Sequence, residues 1–326
     1  MNIQNETNED LNYFPYKTYS SYLKDKYGVK VYKLPINLPI TCPNRDGTVS
    51  EGGCIFCGAE GAAFENLSNI IPVADQLKQN MDYIKKRYKA EKFIAYFQSF
   101  TNTYMDFDIF KKYIKESIIE DIVEISISTR PDCINDKILK YLFDIKREYN
   151  VNITIELGLQ TINHKTLKLI NRGHTLAEFI DSVIRIKKYG FEICTHLILN
   201  LPWDDMDDVI ENAKILSALS IDFVKLHSLY IVKDTQLAKL YQENSINMMS
   251  KDDYINRLIR FLRYLKSDIV VERLLGRAPK ENTIFVNWNT SWWKIKDEIV
   301  EKMIETKVKQ GDLCDYLNGK AIKKFY

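Results

Sequence analysis

The strongest constraint on the fold is an alternation. From residue 31 to residue 232, short apolar runs read as strands: VYKLPINLPI (31–40), FIAYFQSF (93–100), IVEISIST (122–129), NITIELGLQT (152–161), FEICTHLILNLP (191–202) and FVKLHSLYIV (223–232). Helical periodicity fills 73–90, 106–119, 135–149, 175–189 and 205–219. Strands alternating with helices of this length predict an α/β fold with a parallel sheet and crossover helices. With right-handed crossovers, six such units make either an open doubly wound sheet or a curved partial barrel. Polar residues at the strand ends favour the barrel: Gln98-Ser99, Ser128-Thr129-Arg130, Glu156 with Gln160, Asn200, and His227. One polar strand end means little, but five of them converge on the mouth where barrels carry their sites.

The first strand leads into TCPNRDGTVSEGGCIFCGAEG (41–61), which holds Cys42, Cys54 and Cys57, half of the six cysteines. Its glycines and Pro43 make it an irregular loop that can wrap thiolates around one object. It offers three ligands and no evident fourth. A structural zinc site wants four, and so does a protein-saturated iron–sulfur cluster. Three suit a cubane cluster with one iron left open. A zinc knuckle completed by a distant Cys or His is the competing reading.

Composition narrows the class. The net charge of +2 and the pI near 8.0 neither demand nor exclude a nucleic-acid partner. No apolar run reaches the length of a membrane span, and the polar start MNIQNETNED lacks the core of a secretory signal. A cytoplasmic protein is therefore expected, with clustered cysteines serving metal or redox chemistry and not disulfides. Residues 1–30 read as an N-terminal extension, disordered over 1–12 and then helical through Tyr16, Tyr19, Tyr22 and Leu23. Residues 31–235 form the core. Residues 236–326 form a helical, basic extension that closes the barrel; 251–280 carries eight basic and four acidic side chains.

The motifs resemble the radical S-adenosylmethionine (SAM) superfamily. They are KLPINLPITCPNRDG, GGCIFCG, YFQSFTNTY, STRPD, ELGLQT, NRGHT and HLILNLPWDD, in this order over about residues 13–290. Within it they look like the branch related to the Elongator catalytic subunit, most closely the short bacterial proteins of the YhcC/YtqA type. The usual superfamily loop has three residues between its first two cysteines; the eleven here are typical of this branch.

The resemblance implies a partial (β/α)6 TIM-like barrel. It implies that Cys42, Cys54 and Cys57 hold a [4Fe–4S] cluster, with SAM on the fourth iron. Reduction then cleaves SAM to methionine and a 5′-deoxyadenosyl radical, with electrons from a reductant such as flavodoxin or ferredoxin. Gln98, Ser99, Thr101 and Asn102 stand where relatives carry a Gly-Gly-Glu motif for the SAM amino group; the Glu is missing here. Gln160 and Arg172 match a Gln…Arg pair that binds SAM in the oxygen-independent coproporphyrinogen oxidases. Ser128 falls at a ribose-contacting position, and Asn200-Leu201 in a turn that lines the adenine. No catalytic side chain is assigned.

Kinship with the Elongator subunit implies tRNA as partner and a wobble-uridine side chain as target. YtqA-type proteins are associated with carboxymethylaminomethyl-to-aminomethyl conversion, upstream of a methyltransferase. The ninety or so residues after the last strand are too few for an acetyltransferase domain, so acetyl-CoA chemistry is not expected. The alternatives are a small-molecule substrate, or a non-enzymatic zinc-bearing nucleic-acid-binding protein.

Plainer roles stand beside these. Arg172 can cap the preceding helix, and Glu156 can pair with Lys225 or Arg130, since a buried carboxylate needs a partner. His196 and His227 can be core histidines. Cys194 reads as a packed core thiol, Cys133 and Cys314 are isolated, and three tryptophans (288, 292, 293) read as core or docking residues.

Overall fold

The computed structural model describes residues 14–59, 61, 66–278 and 282–325. The expected disorder of 1–12 lies outside these residues, as does Lys280 at the end of the basic stretch.

All six expected strands form: β1 (Val31–Ile36), β2 (Lys92–Phe97), β3 (Ile122–Thr129), β4 (Asn152–Gln160), β5 (Glu192–Ile198) and β6 (Phe223–His227). Each pairs in parallel with the next. The last predicted run is interrupted; Ile231–Val232 leaves the sheet as β7 and pairs antiparallel with β9 (Thr283–Phe285). A seventh parallel strand comes from the C-terminal third, where β8 (Val270–Arg273) pairs with β6. The order β1-β2-β3-β4-β5-β6-β8 leaves β1 and β8 as the two edges. Yet Lys33 of β1 and Glu272 of β8 meet at 2.6 Å. The sheet therefore curls until its edges face one another, a partial barrel.

The helices follow local chemistry. Those between the strands are α2 (Val73–Tyr88), α3 (Phe107–Glu116), α4 (Asp136–Tyr149), α5 (His164–Leu169), α6 (Leu176–Lys188) and α7 (Met206–Ala218). Side-chain caps start α3 (Asp106), α4 (Asn135), α6 (Thr175, in a capping box with Glu178) and α7 (Asp205, in a capping box with Asp208), each contributing about 1 kcal/mol. Strand period does the sorting. On β4, Ile153, Ile155 and Leu157 join the main core beneath the helices, while Thr154 and Glu156 face the interior network.

The N-terminal helix α1 (Tyr19–Tyr27) does more than pack at an edge. Tyr19 and Tyr22 contact Phe223, the first residue of β6, with ring centroids 5.5 and 5.0 Å away. Leu23 packs against Val31 and Ile94. Thr18 bridges to Val271 on the open edge of β8. The helix thus plugs the barrel at the strand starts and leaves the opposite mouth open.

Beyond α8 (Gln236–Gln242), α9 (Lys251–Tyr264) and α10 (Trp292–Glu305) close the C-terminal side. Trp288 donates to Met249 O at 2.7 Å and Trp292 packs on the core, while Trp293 is half exposed. No described helix is long and apolar enough to cross a membrane.

Candidate SAM and cluster site

At the C-terminal ends of the strands lies a cavity of about 280 Å³. Its lining includes Cys42, Cys54 and Cys57, brought there by the loop that follows β1. The loop is held by the segment Asn171–Thr175, after α5. Asn171 Nδ2 donates to Glu51 O at 3.2 Å and Gly53 O at 2.9 Å, and its Oδ1 accepts from Ser50 at 2.7 Å. Asn44 donates to Asn171 O, and Ile55 N to Ile170 O at 3.1 Å. A second apolar cluster backs the loop: Ile55 and Phe56 pack with Ile170, Leu201, Leu229 and Ile231.

Gly173 completes this clasp. It has φ +77°, and a Cβ there would collide with Asn44 Oδ1 and lie 2.7 Å from Val49 Cγ1. Gly173→Ala is expected to cost about 1–3 kcal/mol of local strain and packing. The check is iron retention after chelator challenge; retention equal to the parent protein would show that the clasp does not hold the loop.

The thiol surroundings suit an anionic metal–sulfur group. Arg45 Nη1 donates to Cys57 Sγ at 3.5 Å, and Asn44 Nδ2 and Arg172 Nη1 each donate to Cys54 Sγ at 3.7 Å. Burial pushes the Cys57 thiol up to about 11, with Cys54 adding to the rise and Arg45 opposing it. Among the described residues, the one group of three candidate ligands with donor atoms all within 4.8 Å is Glu156, Cys194 and His196, not the loop thiols. Thiolates sharing a tetrahedral zinc, with bonds of about 2.3 Å, would lie about 3.8 Å apart. The three loop thiols do not all lie within 4.8 Å of one another.

The Glu156 group has no room for an ion. Glu156 Oε1 accepts from Ser126 and Lys33, both at 2.6 Å; Oε2 accepts from Lys225 at 2.8 Å and His196 at 2.6 Å. Glu272 binds the same two lysines, at 2.6 Å to Lys33 and 2.5 Å to Lys225. The result is a closed ring of two lysines and two glutamates beneath the cavity. The expected Lys225 partner is there; Arg130 instead binds Asp132 side-on, at 2.9 and 2.7 Å.

The other predicted positions divide. Gln98, Thr101, Ser128, Gln160 and Arg172 line the cavity. Gln160 and Arg172 converge: a Cβ on Gly158 would sit 2.8 Å from Arg172 Nη2 and 3.0 Å from Gln160 Nε2. Arg172 Nε donates to His174 Nε2 at 2.8 Å, so that nitrogen is the acceptor. Burial, Arg172 and Arg130 together push the His174 imidazole down to about 3, which keeps it neutral for that role.

Ser99, Asn102, Asn200 and Leu201 are not in the cavity lining. Ser99 is fully buried and accepts from Asn66 at 3.1 Å. Asn102 ties strand ends together through Phe97 O and Ser128 O, at 3.1 and 2.9 Å. Asn200 Oδ1 accepts from Leu229 N at 2.6 Å, and Leu201 belongs to the second apolar cluster. Cys194 is buried as expected, and Cys133 opens onto a different cavity, of about 390 Å³, beside Pro43 and Tyr104.

Arg45, Asn44 and Asn171 were not singled out by sequence, although they stand in its motifs TCPNRDG and NRGHT. Arg273 lines the cavity from β8, a strand that sequence periodicity did not isolate.

Comparison with known proteins agrees with this architecture. The sequence matches the family model of the Radical SAM superfamily over residues 42–216 and that of the Radical_SAM C-terminal domain over 221–305. It is 34% identical to the protein YtqA of Bacillus subtilis, over 94% of this chain and 95% of that protein. It is 25% identical to a tRNA uridine(34) acetyltransferase of Methanocaldococcus jannaschii over 47% of this chain, which spans 27% of that enzyme. The fold resembles the solved structure of Elp3 from Methanocaldococcus infernus, with a TM-score of 0.66 at 15% identity, over 86% of this chain and 64% of that one.

Proposed function

This chain belongs to the radical SAM superfamily, in its YhcC/YtqA-type branch, and from that premise we propose that it modifies tRNA at the wobble uridine, turning a carboxymethylaminomethyl side chain into an aminomethyl one. Its cofactors are a [4Fe–4S] cluster and SAM. In our reading Cys42, Cys54 and Cys57 hold the cluster, Gln160 and Arg172 bind the methionine end of SAM, and Gln98, Thr101 and Ser128 complete its pocket. Bound there, the two cofactors supply a 5′-deoxyadenosyl radical that takes hydrogen from the substrate. The residues of the chain bind, orient and shield: the barrel walls and the plug at the strand starts keep water from the reacting centre. A flavodoxin or ferredoxin supplies the electron, and a methyltransferase takes up the product amine, all in the cytoplasm.

The observation that carries this reading is the charge of the cavity. Among the described residues six cations line it (Arg45, Arg130, Arg172, Lys225, Arg273 and Arg277) against one carboxylate, Glu156. A site of this sign suits a carboxylate-bearing side chain on a polyanionic carrier. Similarity to an enzyme named for tRNA uridine 34 adds support. Of the basic residues in and just after α9, Arg260 lies over the Tyr264 ring and three others already have polar partners. Arg257 donates to Leu199 O and Asp204 O at 3.2 and 2.7 Å, Arg263 binds Asp312 at 2.9 Å, and Lys266 binds Asp268 at 2.6 Å.

Mass spectrometry of tRNA nucleosides, with and without the protein, tests the proposal. Without it, carboxymethylaminomethyluridine is expected to accumulate and aminomethyl derivatives to disappear. An unchanged nucleoside profile would favour a small-molecule substrate instead.

A further inference from the structure

Five of the six cavity cations are already engaged. Arg45 and Arg172 donate to loop sulfurs and to backbone carbonyls. Arg130 binds Asp132, Lys225 belongs to the buried ring, and Arg277 lies over the Trp292 ring with its guanidinium carbon 5.2 Å from the centroid. Arg273 differs. Its Nη2 donates to His227 Nδ1 at 2.8 Å, while its Nε is buried with no hydrogen-bond partner. Burial, the charge of Arg273 and the neighbouring His196 hold the His227 imidazole well below its usual range. His227 is therefore neutral: it accepts one guanidinium hydrogen bond and cancels no charge. An unsatisfied buried donor costs about 1–3 kcal/mol, more on a charged group. A buried guanidinium with a free edge is built for a planar anion.

We infer that Arg273, positioned by His227, binds the carboxylate of the substrate's carboxymethyl group through its Nε–Nη2 edge. This rests on the substrate reading above and adds the group that selects for it. The methionine carboxylate of SAM has its own candidates in Gln160 and Arg172, beside Cys54. Arg273 and His227 stand on β8 and β6, whereas Gln160 ends β4 and Arg172 follows α5. Two carboxylates thus have two cationic sites.

The test uses the iron-loaded full-length protein with SAM and no reductant, and the same tRNA carrying either the carboxymethylaminomethyl or the aminomethyl side chain. The parent protein is expected to bind the carboxylate form about tenfold to a hundredfold more tightly. Arg273→Gln is expected to erase that preference, with iron content and melting temperature reporting that it has folded. Should it not fold, Arg273→Lys keeps the charge, loses the Nε donor, and is expected to retain only part of the preference. A full preference in the folded variant overturns the assignment and leaves the tRNA reading standing. A loss of SAM affinity with the preference intact also overturns it. A parent protein that binds neither tRNA overturns the tRNA reading, and this inference with it.

Discussion

Replacing any one of Cys42, Cys54 and Cys57 with alanine is expected to leave a folded, colourless protein that releases no 5′-deoxyadenosine. A cluster that keeps one iron open has no protein ligand to spare, so two thiolates cannot hold it as three do. The fold should survive because the loop is not held by its cysteines. Asn171, Asn44 and the Ile55–Ile170 backbone bond pin it through amides and carbonyls, and Ile55 packs into an apolar cluster. Alanine at Cys133, Cys194 or Cys314 should leave the iron in place, and Asn171→Ala should weaken its retention by about 10–100-fold, as groups behind metal ligands do. Iron and sulfide analysis after anaerobic reconstitution reads all of these. A Cys54→Ala protein with full iron would remove Cys54 from the ligand set.

The second large effect lies under the cavity. Glu156→Ala is expected to destabilise the protein by about 3–5 kcal/mol, because it leaves Lys33 and Lys225 buried with one carboxylate between them. Burial by itself would raise the carboxyl of Glu156; Lys225 and Lys33 outweigh it and hold the group well below the usual range. Because the folded-state value is depressed, this stabilisation is present above the ordinary carboxylate range. It is lost only as pH falls through the depressed value. Removing a neutral pair, Lys225→Met with Glu272→Leu, should cost less than either single change, since no unpaired charge stays behind. Denaturant unfolding of the iron-loaded proteins gives the comparison. A Glu156→Ala loss below about 1 kcal/mol, no more than an ordinary substitution, would mean that the ring does not hold the barrel together.

Much of the fold was legible because parallel strands buried on both faces leave continuous apolar runs. FIAYFQSF is such a run and NITIELGLQT alternates polar with apolar, and both formed strands. β8 escaped because VVER is four residues long and follows a basic helix; only its pairing with β6 makes it a strand. Of the residues that line the cavity, Cys42, Cys54 and Cys57 could be named from their spacing, and Gln160 and Arg172 from the family resemblance. Ser99, Asn102, Asn200 and Leu201 could not be told from lining residues, because which side of a strand end faces the mouth depends on the local twist. Nothing local says that the Asn171 amide crosses to a loop some 120 residues earlier.

The sequence by itself determined the things carried by local pattern: the alternation of strand and helix, and a loop with three thiols and no fourth. Order along the chain is enough for these, since periodicity and ligand spacing are one-dimensional properties. Only the tertiary structure decided which charges meet. Lys33, Glu156, Lys225 and Glu272 come from four strands spread over 240 residues, and they pair because the sheet curls until its first and last strands face each other. The same closure brings Arg273 to His227 in the cavity with an unpaired edge. Coulomb and hydrogen-bond partners are set by distance in space, and the curl of the barrel sets that distance.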